Sequence, residues 1–133
     1  MTATQNALNK PIIYNIGYQR HNQNTFVQVL LDNKITLLVD LREKPYSRIA
    51  GFNQRALTLR LTQDGIGYVW MGKQLGGLTC TRGQWEKGCI DLVDLAKKNR
   101  VAMMCMEADI EKCHREKLAK MLTFFHQVQN INL

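Results

Sequence analysis

Four short apolar runs, each followed by a segment with helical spacing, constrain this chain more than any other feature. Pro11-Ile-Ile-Tyr-Asn-Ile16 is β-branched and stops at Gly17, so it reads as a first strand. Ile35-Thr-Leu-Leu-Val-Asp-Leu41 is apolar on both faces, as a strand buried between helix layers must be. Gly67-Tyr-Val-Trp-Met71 and Val101-Ala-Met-Met-Cys-Met106 supply a third and a fourth strand. Between them the period changes. A helix capped by Asn22 or Asn24 fits to about Asn33, with Phe26, Val29, Leu30 and Leu31 on its apolar face. A second runs from about Asn53 to Gln63, stopped by Asp64-Gly65. Trp85, Cys89, Leu92 and Ala96 recur at helical spacing in a third. The last spans about Ile110 to Asn130, with Leu118, Met121, Leu122, Phe125 and Val128 on its buried face. The order βαβαβαβα predicts one three-layer α/β domain over residues 11–133. Its sheet is mostly parallel and four-stranded, with helices on both faces and right-handed crossovers. Residues 1–10 read as a polar tail, and Gly72 to Gly83 as a long glycine-bearing loop with room for a short extra strand.

A chain of 133 residues suits one domain, and 45% apolar with 22% charged residues excludes a disordered chain. No apolar run approaches the roughly 20 residues of a membrane helix. The first ten residues lack the apolar stretch of an export signal, so a cytoplasmic protein with reduced thiols at Cys80, Cys89, Cys105 and Cys113 is expected. Eighteen basic residues against eleven acidic ones leave a net charge of +7. That balance favours anionic small molecules or nucleic acid as partners. The cations are spread from Arg20 to Lys120 and form no basic arm.

In an open parallel sheet, ligands bind beyond the carboxyl ends of the strands, where strand order reverses. The polar and reactive residues gather after the predicted strands. They are Gly17, Tyr18 and Arg20 after the first, Arg42, Glu43 and Arg48 after the second, Gly72 to Gly77 after the third, and Glu107 to Arg115 after the fourth. Cys105 and Glu107 share one face of the fourth strand, and Asp40 and Arg42 share one face of the second. Glu107 is the candidate for proton transfer, or else a carboxylate paired with Arg42 or Arg115. Cys105 or Cys113 could serve as a nucleophile with His114 as base, although a buried structural thiol is the commoner case. Arg42, Arg48 and Arg115 suit a phosphate or carboxylate, or ion pairing with Asp40, Glu43 and Glu107. Gly76 could admit a close backbone approach or simply form a turn. Cys105, Glu107, Cys113 and His114 are ligand types that zinc accepts, but they match no usual zinc spacing, so no cofactor is expected and a metal stays the alternative. Cys89 reads as core, and Trp70, Trp85, Phe124 and Phe125 sit at core-like spacing.

The motifs Ile13-Tyr-Asn-Ile-Gly17, Leu38-Val-Asp-Leu-Arg42 with Pro45 and Ser47-Arg48, Phe52-Asn53, Leu75-Gly-Gly77, and Cys105-Met-Glu107 with Cys113-His-Arg115 run through residues 12 to 122. In these the chain resembles the domain-of-unknown-function 488 family. The resemblance implies a compact α/β domain without an assigned general activity. It also implies a site that gathers Arg42, Arg48, Cys105, Glu107, Cys113, His114 and Arg115. Where the family usually has Ile-Gly-His, this chain has Ile16-Gly17-Tyr18. A proton-transfer step at that histidine would be lost here, whereas a positioning role could pass to the Tyr18 hydroxyl, with Gly17 beside it. Three functions follow as expectations. The first is an enzyme, or enzyme-like domain, binding an anionic ligand at the carboxyl edge of the sheet. The second is a non-catalytic nucleic-acid-binding module, and the third a thiol- or metal-dependent enzyme.

Overall fold

The computed structural model describes residues 10–76, 81–107 and 115–133. Its strands are β1 (Ile12–Gly17), β2 (Leu37–Asp40), β3 (Gly67–Trp70), β4 (Val101–Cys105) and β5 (Gln129–Asn132). Its helices are α1 (Gln23–Asp32), α2 (Gln54–Gln63), α3 (Gly72–Leu75), α4 (Arg82–Lys98) and α5 (Arg115–His126). The sheet order is β3-β2-β4-β1-β5, and every pairing is parallel. The α/β class and the parallel sheet agree with the sequence reading, with five strands in place of four.

Local chemistry accounts for the helix limits. Asn22 caps α1 reciprocally: its Oδ1 accepts from the Thr25 amide at 2.8 Å, and Thr25 Oγ1 accepts from the Asn22 amide at 3.1 Å. Thr81 and Gln84 form the same box on α4. Gly65, at φ +75°, ends the α2 turn as the Asp-Gly pair predicts.

Strand alternation divides the core in two. Ile13, Val39, Val101 and Met103 face α4 and α5, against Cys89, Leu92, Leu118 and Leu122. Tyr14, Ile16, Leu38, Ala102 and Met104 face α1 and α2, against Phe26, Leu30, Leu57 and Leu61. Each fully buried Leu or Phe on these faces contributes about 1.5–3 kcal/mol. That is ample to hold helices whose own propensity is modest.

Three expectations are corrected. The last helix ends at His126, not Asn130; Gln127 turns the chain at φ 52°, and Gln129–Asn132 joins the sheet beside β1. Polar Gln-Asn-Ile-Asn carries no strand signature. The strand is held by its ladder and by Asn15 Nδ2 donating to Asn130 Oδ1 at 3.1 Å. The part of the glycine loop over Gly72–Leu75 is the short helix α3, and residues 77–80 of that loop lie outside the described residues. Phe124 and Phe125 are 82% and 67% exposed, so they are not core. Among the described residues no helix is long and apolar enough to cross a membrane.

Candidate functional site

Strand order locates the crevice. β1 and β2 are each followed by a helix on one face of the sheet, α1 and α2, whereas α5, after β4, packs on the other. β4 lies between β2 and β1, so the chain parts to opposite faces at its carboxyl end, the geometry that opens a ligand crevice in such sheets. The backbone ladder runs on past the strands there. The Tyr18 amide donates to the Cys105 carbonyl at 3.1 Å, Gln19 to Met106 at 2.8 Å, and Leu41 to Met104 at 2.9 Å. Gly17 is therefore paired opposite Cys105 within the sheet.

Arg42 is committed to its own fold. Its Nε and one terminal nitrogen grip both carboxylate oxygens of Asp40 at 2.9 and 2.7 Å. Its other terminal nitrogen donates to the Phe52 carbonyl at 2.6 Å and to the Tyr18 hydroxyl at 3.4 Å. Tyr68 adds a hydroxyl donated to Asp40 at 2.5 Å. Burial and this carboxylate together push the Tyr68 hydroxyl pKa well up. Asp40 is fully buried and Arg42 only 7% exposed. Asp40 thus has the partner its burial demands, and the ion-pair reading of Arg42 is the one the geometry supports. Tyr18 is 1% exposed, stacked on Phe52 at 4.5 Å between ring centroids, with the Arg42 guanidinium 5.2 Å from its own ring. It packs in the core, and its hydroxyl already serves Arg42.

Arg115 and Glu107 form a second group. The register pairs Asp40 with Met104, so Cys105 projects to the opposite face from the Asp40–Arg42 pair. Arg115, at the start of α5, is 1% exposed and donates to the Glu107 carbonyl at 2.6 Å. Burial pulls its pKa down to about 10, against the opposing pull of the Glu107 carboxylate. The sheet thus places Arg42 and Arg115 on different faces, and the expected single clamp of three arginines divides. Arg48 is exposed on the loop after β2.

The glycine reading also resolves into packing. A Cβ on Gly76 would lie 2.3 Å from the Gly72 carbonyl oxygen and 3.0 Å from Glu43 Cα, so its open side is filled by protein. A Cβ on Gly72 would lie 1.8 Å from the Arg42 carbonyl oxygen. That carbonyl accepts from the Trp70 indole at 2.6 Å, a close approach that only glycine permits.

Cys105 is disulfide-bonded, whereas Cys89 is free and buried. The Cys105 Sγ sits 3.8 Å from the Glu107 carbonyl oxygen. This corrects the expectation of a reduced thiol at Cys105, which rested only on the polar composition of residues 1–10. A sulfur held in a disulfide is not the thiolate that nucleophilic attack needs. Cys113 and His114 lie outside the described residues. Among the described residues no group of three or more His, Cys, Asp or Glu is placed to hold a metal ion.

Comparison with protein families matches the domain of unknown function DUF488 over residues 22–89 and 78–122. The chain belongs to this family. No curated protein and no solved structure matches it. Within this DUF488 domain, the family motif Leu38-Val-Asp-Leu-Arg42 has a physical basis: it builds a central strand and the buried pair that ends it. Cys105-Met-Glu107 marks the carboxyl end of β4, the edge at which parallel sheets bind ligands.

Proposed function

We propose that this DUF488 domain is an enzyme, or an enzyme-like domain, that binds an anionic ligand of the nucleotide or phosphate-bearing class at the carboxyl end of β4. Arg115 supplies the positive charge, Arg48 reaches the ligand from the exposed loop, and Glu107 moves the proton. The observation that carries this reading is Arg115, a guanidinium 1% exposed near the carboxyl end of β4 and drawn down in pKa by burial. Burying an ion costs several kcal/mol even after relaxation. Perturbed ionisable groups in clefts concentrate at functional sites.

The test is thermal stability against a panel of inorganic phosphate, nucleotides and carboxylates. A ligand at about 100 times its dissociation constant stabilises by about 2.7 kcal/mol. At least one of these anions is expected to raise the melting temperature of the native protein, and Arg115→Met to abolish that rise. Arg115→Lys, which keeps the charge but not the fork, should retain part of it. If no anion stabilises the native protein, or if Arg115→Met responds as fully, the reading fails.

A further inference from the structure

The opposite end of the sheet carries a different surface. The three central strands begin there, and so does a groove of about 770 Å³ lined by Lys10, Thr36, Lys97, Lys98, Asn99 and Arg100. The four cations are all exposed. The four ion pairs between described residues lie elsewhere, on Asp40, Asp64, Glu86 and Glu116. Asp91 and Asp94, further up α4, line a neighbouring groove that also includes Lys98.

Arg100 is already positioned. Its Nε donates to the Asn33 carbonyl at 2.6 Å, one terminal nitrogen donates to the Tyr14 hydroxyl, and its guanidinium lies 4.8 Å from the Tyr14 ring. Arg100 and the three lysines line the groove. Thr36 Oγ1 accepts from the Arg100 amide at 2.9 Å and ties the starts of β2 and β4 together. Arg100 therefore stands on a rigid base of strand starts, and Lys97 and Lys98 close the last turn of α4 beside it.

We propose that this groove is a binding surface for the phosphate backbone of nucleic acid, separate from the crevice at the carboxyl end of β4. The repeated charge of a phosphodiester chain matches several cations converging on one open channel, and each contact releases a condensed counterion. A bilayer presents a flat anionic face and engages a concave groove poorly. The overall charge of +7 favours approach of a polyanion from any direction. The local grouping decides where it seats.

Fluorescence anisotropy with labelled oligo(dT) and a labelled duplex, over a salt series, tests this on the full chain. The patch variant carries Lys10→Glu, Lys97→Glu and Lys98→Glu. A control with Lys44→Glu, Arg55→Glu and Lys87→Glu has the same net charge, with all three changes at exposed positions outside the groove. Binding by at least one probe is expected at low salt, weakening steeply as salt rises. The patch variant should lose at least about tenfold in affinity, and about two units of the log–log salt slope, for three lost contacts at roughly 0.7–0.9 each. The control should lose less than about threefold if local contacts dominate. Circular dichroism confirms that both variants fold. Absence of binding at low salt, or equal loss in patch and control, overturns the proposal. So does tighter binding to phosphatidylserine vesicles or to polyglutamate than to either oligonucleotide, with the same residue dependence.

Discussion

Replacing Arg42 with methionine should cost this domain a large share of its stability. The apolar stem stays, but the Asp40 carboxylate, fully buried, loses both guanidinium hydrogen bonds, at 2.7 and 2.9 Å, and keeps the Tyr68 hydroxyl and the residue 42 amide. The Phe52 carbonyl loses its donor at 2.6 Å as well. Removing one member of a buried ion pair costs about 3–5 kcal/mol. Against a total stability of about 5–15 kcal/mol, the variant remains folded but marginal. At roughly 3–5 °C per kcal/mol for a chain of this length, the melting temperature falls by about 10–20 °C. The double variant Asp40→Leu, Arg42→Met removes both charges and should recover to within about 2 kcal/mol of the native protein. Urea unfolding followed by circular dichroism gives the coupling energy from the double-mutant cycle. Arg42→Met costing less than about 1 kcal/mol, the range of an exposed pair, would refute the reasoning. So would a normal melt accompanied by complete loss of anion binding, since Arg42 would then serve a ligand and not the fold.

Burial, with a smaller push from Glu86, raises the Cys89 thiol from its ordinary 9.0 to about 11. A folded pKa above the unfolded one stabilises the protein below pH 9. That contribution, at most about 3 kcal/mol, is lost as pH rises from about 9 to about 11. Urea midpoints across that range should fall more steeply for the native protein than for Cys89→Ala, and identical slopes would exclude the effect. Gly72→Ala places a methyl 1.8 Å from the Arg42 carbonyl oxygen and 2.3 Å from the Trp70 indole nitrogen. It should cost at least about 2 kcal/mol by overpacking and change Trp70 fluorescence, and a near-native melt with unchanged emission would contradict that packing.

The elements legible in the sequence are those whose signal is written in their own side chains. Alternating faces on β1, β2 and β4 are a property of each strand, and so is the Asn22 cap on α1. β5 was not legible because its polar residues gain their place from the ladder with β1, which no local pattern records. Phe125 keeps the period of Leu118, Met121 and Leu122, yet it lies against the groove between α4 and α5 and stays exposed. The Asp40–Arg42 contact was visible as a shared strand face. Whether Arg42 would serve Asp40 or a ligand depended on the Phe52 carbonyl and Tyr18 hydroxyl arriving from distant segments. Cys113 and His114 lie outside the described residues, so the sequence remains the source for them.

Withdrawing Arg42 from the ligand set changes the electrostatics of the crevice in a way that separates binding from chemistry. Asp40 neutralises Arg42, whereas Arg115 donates to the Glu107 carbonyl and feels the field of the Glu107 carboxylate. An anion reaching Arg115 must approach against Glu107. If the crevice only binds, Glu107→Gln removes that repulsion and tightens anion binding. At an effective dielectric of about 20 and a few ångströms, the repulsion is worth on the order of 1–4 kcal/mol, or about tenfold and more. If Glu107 carries the proton in a reaction, the same variant binds the anion at least as tightly but turns nothing over. Titration calorimetry of Glu107→Gln with an anion found in the thermal panel therefore has a fixed sign. Weaker binding in this variant would place Glu107 as a hydrogen-bond partner of the ligand and overturn the repulsion argued for it.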